Sequence, residues 1–292
     1  MSAAASSTQA PANARDLLLT ALAPAIWGSS YIVTTQLLPQ VPAMTVALLR
    51  ALPAGLLLLV FARRLPQGIW WLRVFILGAL NFSVFWSMLF VSAYRLPGGA
   101  AATVGAVQPL VVVFLAAWVL GSAVRPASVL GALAGLAGVA LLVLTPGVAL
   151  DATGIAAGLA GAVSMACGTV LTRKWRPPVP LLTFTAWQLT AGGLLLLPVA
   201  LWAGPDFPAL TPGHLIELAW LGLVGAALTY VLWFRGIARL EPGVVASLGF
   251  LSPVTAIVLG WLVLGQTLTA VQMAGVVLVL GGIWLGQRGA VR

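Results

Sequence analysis

Long apolar runs alternate with short polar breaks from one end of the chain to the other. Ten runs stand out, at 17–38, 42–62, 70–94, 97–120, 126–145, 152–172, 179–202, 213–236, 242–264 and 268–287. Each is close to the roughly 20 residues that a helix needs to cross a bilayer. The breaks carry turn signals: Leu96-Pro97-Gly98, Arg125-Pro126, Pro177-Pro178 and Glu241-Pro242-Gly243. The runs are apolar on every side instead of alternating, which argues against a β-barrel. The pattern predicts an all-α integral membrane protein with ten transmembrane helices. Residues 1–16, rich in Ala, Ser and Thr, predict a disordered tail, and the breaks leave no room for a soluble domain.

Composition sharpens this. Of 292 residues 61% are hydrophobic and 7% charged, whereas a soluble domain needs about 25% charged residues to coat its surface. The net charge of +9 is spread between the runs, so it reads as loop charge at lipid headgroups and not as a nucleic-acid patch. With the N-terminus in the cytoplasm, twelve of the fourteen cations fall on the inner side. The positive-inside rule therefore predicts both termini inside. One cysteine, Cys167, and one histidine, His214, offer neither a disulfide framework nor a metal site.

The chain also matches itself at an offset of 144 residues. Arg95-Leu96 aligns with Arg239-Leu240, Gly105 with Gly249, Pro109 with Pro253, and Val119-Leu120-Gly121 with Val263-Leu264-Gly265. Gly131 and Gly138 meet Gly275 and Gly282. Five spans per copy is an odd number, so the second copy enters the membrane upside down. Two inverted five-helix repeats, 17–146 and 152–288, are predicted, and such repeats are a recurrent transporter plan with the site near the midplane.

The residues that carry a resemblance are Ala25-Ile26-Trp27-Gly28-Ser29-Ser30-Tyr31, Leu48-Leu49-Arg50 and the Leu-Gly ends of spans four and nine. With the five-plus-five layout they resemble the drug/metabolite transporter superfamily in its EamA branch, most of all amino-acid exporters of the YddG type. The resemblance covers nearly the whole chain. It implies export of small metabolites by alternating access. Many members carry Glu after those Leu-Gly pairs; Ser122 and Gln266 stand there in this chain, so no role of that Glu transfers.

Midplane chemistry is sparse. Pro109 and Pro253 each remove a helical hydrogen bond and are expected to kink spans four and nine, freeing the carbonyls of Gly105 and Gly249. Interrupted helices at matching positions point to a binding site, and Gln108 and Ser252 precede the two prolines. Asn81 lies about 16 Å into span three at 1.5 Å per residue, either at the pocket or as a stitch between helices. Gln188 reads more readily as a stitch. Trp27, Phe85, Met165 and Tyr230 complete the candidate substrate-binding set. Arg50, too deep to snorkel, either binds a substrate carboxylate or ties helix ends together through carbonyls. Its place in a motif shared across many substrates favours the second.

No Asp or Glu lies at the middle of a span, so a proton relay built on a buried carboxylate has no candidate. There is no G-x-x-x-x-G-K-[ST] loop to drive transport with ATP. No catalytic residue, cofactor or metal is expected. The reading is a facilitated exporter of neutral and aromatic amino acids in a bacterial inner membrane, acting as a monomer on a small-molecule substrate. Other metabolites or cationic drugs on the same fold are the nearest rival; a membrane-embedded enzyme is a distant one.

Overall fold

The computed structural model describes residues 14–96, 100–143, 151–203, 210–265, 267 and 269–288. They are helical almost throughout. We label as α1 Ala14–Ile32, prolonged by a π-helical turn at Val33–Leu37, and as α2 Ala43–Ala62. Trp70–Arg95 is α3, with a π-helical stretch at Ala79–Ser83. The fourth helix, α4, comes in two pieces, Ala100–Gly105 and Gln108–Leu120. Then follow α5 Pro126–Val143, α6 Ala152–Lys174 and α7 Leu181–Ala203. Pro212–Arg239 is α8, with a π-helical stretch at Trp220–Leu228. The ninth, α9, is again in two pieces, Pro242–Leu248 and Leu251–Leu264, and α10 is Ala270–Arg288.

Among the described residues eight helices are long and apolar enough to cross a membrane. The other two are α5, whose apolar part Pro126–Leu142 is shorter, and α1, which carries Arg15, Asp16 and a Ser29-Ser30 pair. Helix ends fall within a few residues of those predicted, with two informative shifts. Ala14, Arg15 and Asp16 belong to α1 and not to the tail, because the Asp16 carboxylate faces Arg235 and Arg239 of α8. For the same reason α8 runs on to Arg239. The rest of the expected tail and Gln266 lie outside the described residues.

The outer surface is apolar. Trp118 and Trp202 are more than four-fifths exposed, and Phe61, Ile216 and Val277 are exposed beside them. Such a surface is stable only in lipid. Lipid gives no hydrophobic drive between helices, so close packing must hold them together, and small residues make it possible. The seam between α5 and α10 shows how. A Cβ on Gly131 would meet the Gly282 carbonyl, and one on Gly138 the Gly275 carbonyl. Helices α2 and α7 meet in the same antiparallel way, with Gly55 against Leu189 and Thr190, and Gly193 against Leu52.

Both broken helices break at matched places. Ala106 and Phe250 turn through i→i+3 bonds to Thr103 (3.2 Å) and Ser247 (3.1 Å). Pro109 and Pro253 thus sit in the first turn of a fresh helix, where their missing N–H costs nothing, instead of kinking a continuous one. The Gly249 carbonyl is not free as expected: the Ser252 N–H donates to it at 3.1 Å. Both helices end on a glycine in the left-handed region, Gly121 (φ 68°) and Gly265 (φ 65°), which closes the last turn without a Cβ penalty.

Candidate transport site

The π-helical stretches of α3 and α8 shape the centre. A π turn widens the helix and shifts its carbonyls out of register, and such turns favour functional sites. The two stretches overlap under the 144-residue offset, which places Asn81 opposite Gly225.

Gly225 is one hub. Its carbonyl accepts from Trp27 Nε1 (3.1 Å), Arg50 Nη2 (2.9 Å) and Thr229 Oγ1 (2.9 Å). This draws α1 and α2 onto α8. The Trp27 ring lies 5.1 Å from Tyr230 and 5.2 Å from Trp233. Tyr230 in turn packs on Phe82 (4.5 Å) and Phe234 (5.6 Å). The Arg50 guanidinium stands over the Trp86 ring at 4.6 Å, a favourable cation–π arrangement.

Asn81 is the other hub. Fully buried, its Nδ2 donates to Gln188 Oε1 (2.8 Å) and Thr172 Oγ1 (3.3 Å), and its side chain fills the space left by Gly168. It stitches α3 to α6 and α7.

The structure therefore brings Trp27 and Tyr230 together, with Met165 buried and Phe85 half-buried in the same apolar cluster. It commits the Asn81 Nδ2 to neighbouring helices, while the Asn81 Oδ1 is buried with no hydrogen-bond partner among the described residues. Gln108 and Ser252 sit at the two helix breaks. The Gln108 side chain ends in a buried Nε2 with no hydrogen-bond partner among the described residues. Gly28 abuts the Ser252 carbonyl and Thr255, so α1 leans on the break in α9. A Cβ on Gly105 would meet nothing within 4 Å, and one on Gly249 only the Ala246 carbonyl; the backbone at both breaks borders open space.

Several central residues escaped the sequence reading: Phe82, Thr229, Trp233 and the Gly225 carbonyl. A second internal offset was available. Shifting α2 by 138 residues aligns Thr45 with Thr183, Arg50 with Gln188, Gly55 with Gly193, and Leu56 to Leu59 with Leu194 to Leu197. The shift differs from 144 because the connections between spans differ in length. It marks Arg50 and Gln188 as counterparts. His214 serves locally, exchanging bonds with Thr211 at the start of α8 (3.3 Å each).

Comparison with known proteins fits this architecture. The EamA-like transporter family matches twice, over residues 15–144 and 152–286. The chain belongs to the EamA-like transporter family. Protein PecM of Dickeya dadantii is 43% identical over 91% of this chain and 90% of its own. The "probable amino-acid metabolite efflux pump" of Salmonella typhimurium is 26% identical over 93% of this chain and 94% of its own. YedA, described as an inner membrane transporter of Escherichia coli, is 28% identical over 85% and 82%. A protein of known crystal structure superposes with a TM-score of 0.81 over 95% of this chain and 98% of its own, at 22% identity, and so shares the fold. The EamA chain is a multi-pass membrane protein of a transporter family within the drug/metabolite transporter superfamily, and a small-molecule substrate goes with that family.

Proposed function

We propose that the chain is a ten-span exporter of neutral and aromatic amino acids and related metabolites, built as two inverted five-helix repeats that alternate access to a midplane site. The observation that carries it is the equivalence of the two halves. Each matches the family model once, and breaks and π stretches recur at corresponding positions. At the α5–α10 seam Gly131 touches Gly282 while their counterparts, Gly275 and Gly138, touch each other. That reciprocal, antiparallel contact is what a two-fold axis in the membrane plane produces. Halves of the same build can exchange shapes, which opens first one mouth and then the other.

The substrate class rests on the centre: the rings of Phe82, Trp86, Trp233 and Phe234 and the Thr229 hydroxyl around Trp27 and Tyr230, with Gln108 and Ser252 at the breaks. Among the described residues the carboxylates lie near the helix ends, at Asp16, Asp151, Glu217 and Glu241, which favours a facilitated mechanism over a proton relay. The relative named as an amino-acid metabolite efflux pump supports the same class. The distribution of cations supports a bacterial inner membrane with both termini cytoplasmic, and a single chain holding both halves needs no second copy to complete a site.

Uptake of labelled amino acids into proteoliposomes, with and without a pH gradient, tests this. Saturable uptake without the gradient is expected. Uptake only with the gradient overturns the facilitated mechanism. Absence of amino-acid uptake alongside saturable uptake of lipophilic cations overturns the substrate class.

A further inference from the structure

Arg50 and Gln188 hold equivalent places on α2 and α7, and each reaches the π stretch of the opposite half. Gln188 meets Asn81 at 2.8 Å, and Arg50 meets the Gly225 carbonyl at 2.9 Å. A neutral amide makes the tie in one half; a full positive charge makes it in the other. Placing a charge inside the membrane is costly unless something neutralises it.

Among the described residues no carboxylate lies within 4 Å of Arg50: Asp16, Asp151 and Glu241 are engaged by other arginines, and Glu217, in the first turns of α8, makes no ion pair. The Gly225 carbonyl is already shared with Trp27 and Thr229. Arg50 Nε is buried without a hydrogen-bond partner, and so is Ser30 Oγ of α1. Both side chains stand beside Gly225: a Cβ there would lie 3.6 Å from Arg50 Nη2 and 3.9 Å from Ser30 Oγ. A guanidinium with an unused donor beside a free hydroxyl suits a carboxylate, which can take two parallel N–H bonds. The Trp86 face against Arg50 shields the pair from other solvation.

Resting on the amino-acid reading above, we infer that Arg50 and Ser30 form the subsite for the substrate carboxylate. The substrate side chain then lies against the rings of Trp27, Trp86 and Tyr230.

Counterflow of labelled phenylalanine into proteoliposomes, competed with phenylalanine, 3-phenylpropionate, phenylalaninamide and phenethylamine, reads the subsite directly. The two carboxylates are expected to compete at least about tenfold better than the amide and the amine, a step of 1.4 kcal/mol or more. Arg50→Gln is expected to shrink the acid-over-amide preference below about threefold, with Arg50→Lys in between. Equal competition by acid and amide in the wild type overturns the subsite and leaves amino-acid transport standing. An undiminished preference in folded Arg50→Gln overturns it as well. No counterflow of phenylalanine by folded wild type overturns the amino-acid reading together with the subsite. Should Arg50→Gln fail to fold, Ser30→Ala decides: a severalfold loss for the acid alone supports the subsite, and equal losses for acid and amide overturn it.

Discussion

On the proposed alternating-access reading, the two mouths of the molecule carry matching ion pairs of unequal strength. At one mouth Arg95, ending α3, faces Asp151 at the start of α6, at 4.0 Å and with both side chains about half exposed. At the other mouth the counterpart Arg239, ending α8, faces Asp16 near the start of α1 at 3.5 Å. There Asp16 is buried and also paired with Arg235. The position matching Arg235 in the first half is Val91. Arg125 of the α4–α5 connection adds a pair with Glu241 at 3.1 Å. Arg173 donates to the Ile237 carbonyl (2.6 Å) and to that of Leu240, tying the end of α6 to the end of α8. Among the described residues, one mouth is latched by several partly buried contacts and the other by one exposed ion pair. Exposed pairs are worth little, whereas breaking one that has left water strands a charge. Repetition supplied the template, and divergence at single positions set which mouth holds.

Asp16→Asn tests that difference most severely. It leaves Arg235 and Arg239 without their shared carboxylate and is expected to cost about 2 kcal/mol, roughly 30-fold in the ratio of open to closed mouth. The rate at which a membrane-impermeant maleimide modifies Ile237→Cys, in a Cys167→Ser background, measures it. An unchanged rate would show that Asp16 is no latch. Glu241→Gln removes a pair about a third exposed, and we expect a loss of about 1 kcal/mol at the same mouth by the same assay. At the other mouth Asp151 also caps α6, its Oδ1 accepting from the Gly154 N–H at 2.7 Å. Asp151→Ala is therefore expected to cost about 1 kcal/mol in thermal unfolding in detergent, and Asp151→Asn, which keeps the cap, less than about 0.5 kcal/mol. A larger loss in the Asn variant would mean that the exposed pair matters after all. Val91→Arg copies the Arg235 arrangement across, and transport in proteoliposomes is expected to slow about twofold as both mouths become latched; faster transport would refute the symmetry of the latches.

Much of this build was legible in the sequence. Run length marked the helices, because a bilayer sets a minimum apolar length of about 20 residues for crossing it. The 144-residue offset marked the paired prolines, glycines and arginines, because backbone breaks and close packing tolerate few residue types. The centre was less legible. The Gly225 hub depends on a π stretch that no residue type announces, and the carbonyl that does the work belongs to a glycine with no side chain to read. Asn81 and Gln188 could each be seen as stitches, but their bond to each other joins positions 107 apart in the chain and comes only with the fold. Arg50 was visible as a charge in a span. Its surroundings, Trp86, Ser30 and the lack of a carboxylate, follow from how α1, α2, α3 and α8 converge.

The glycine seam between α5 and α10 has a consequence for heredity. Because its two contacts are reciprocal, each the image of the other under the 144-residue offset, a lone five-helix segment and an overturned copy of itself would already possess the joint that the full chain uses. A substitution at Gly131 in such an ancestor would have struck both contacts of the seam at once, Gly131 on Gly282 and Gly138 on Gly275. Fusion into one reading frame halves that exposure. On the proposed inverted-repeat reading, each half can then vary separately, with Arg50 in one and Gln188 in the other, while the four glycines between them are alike.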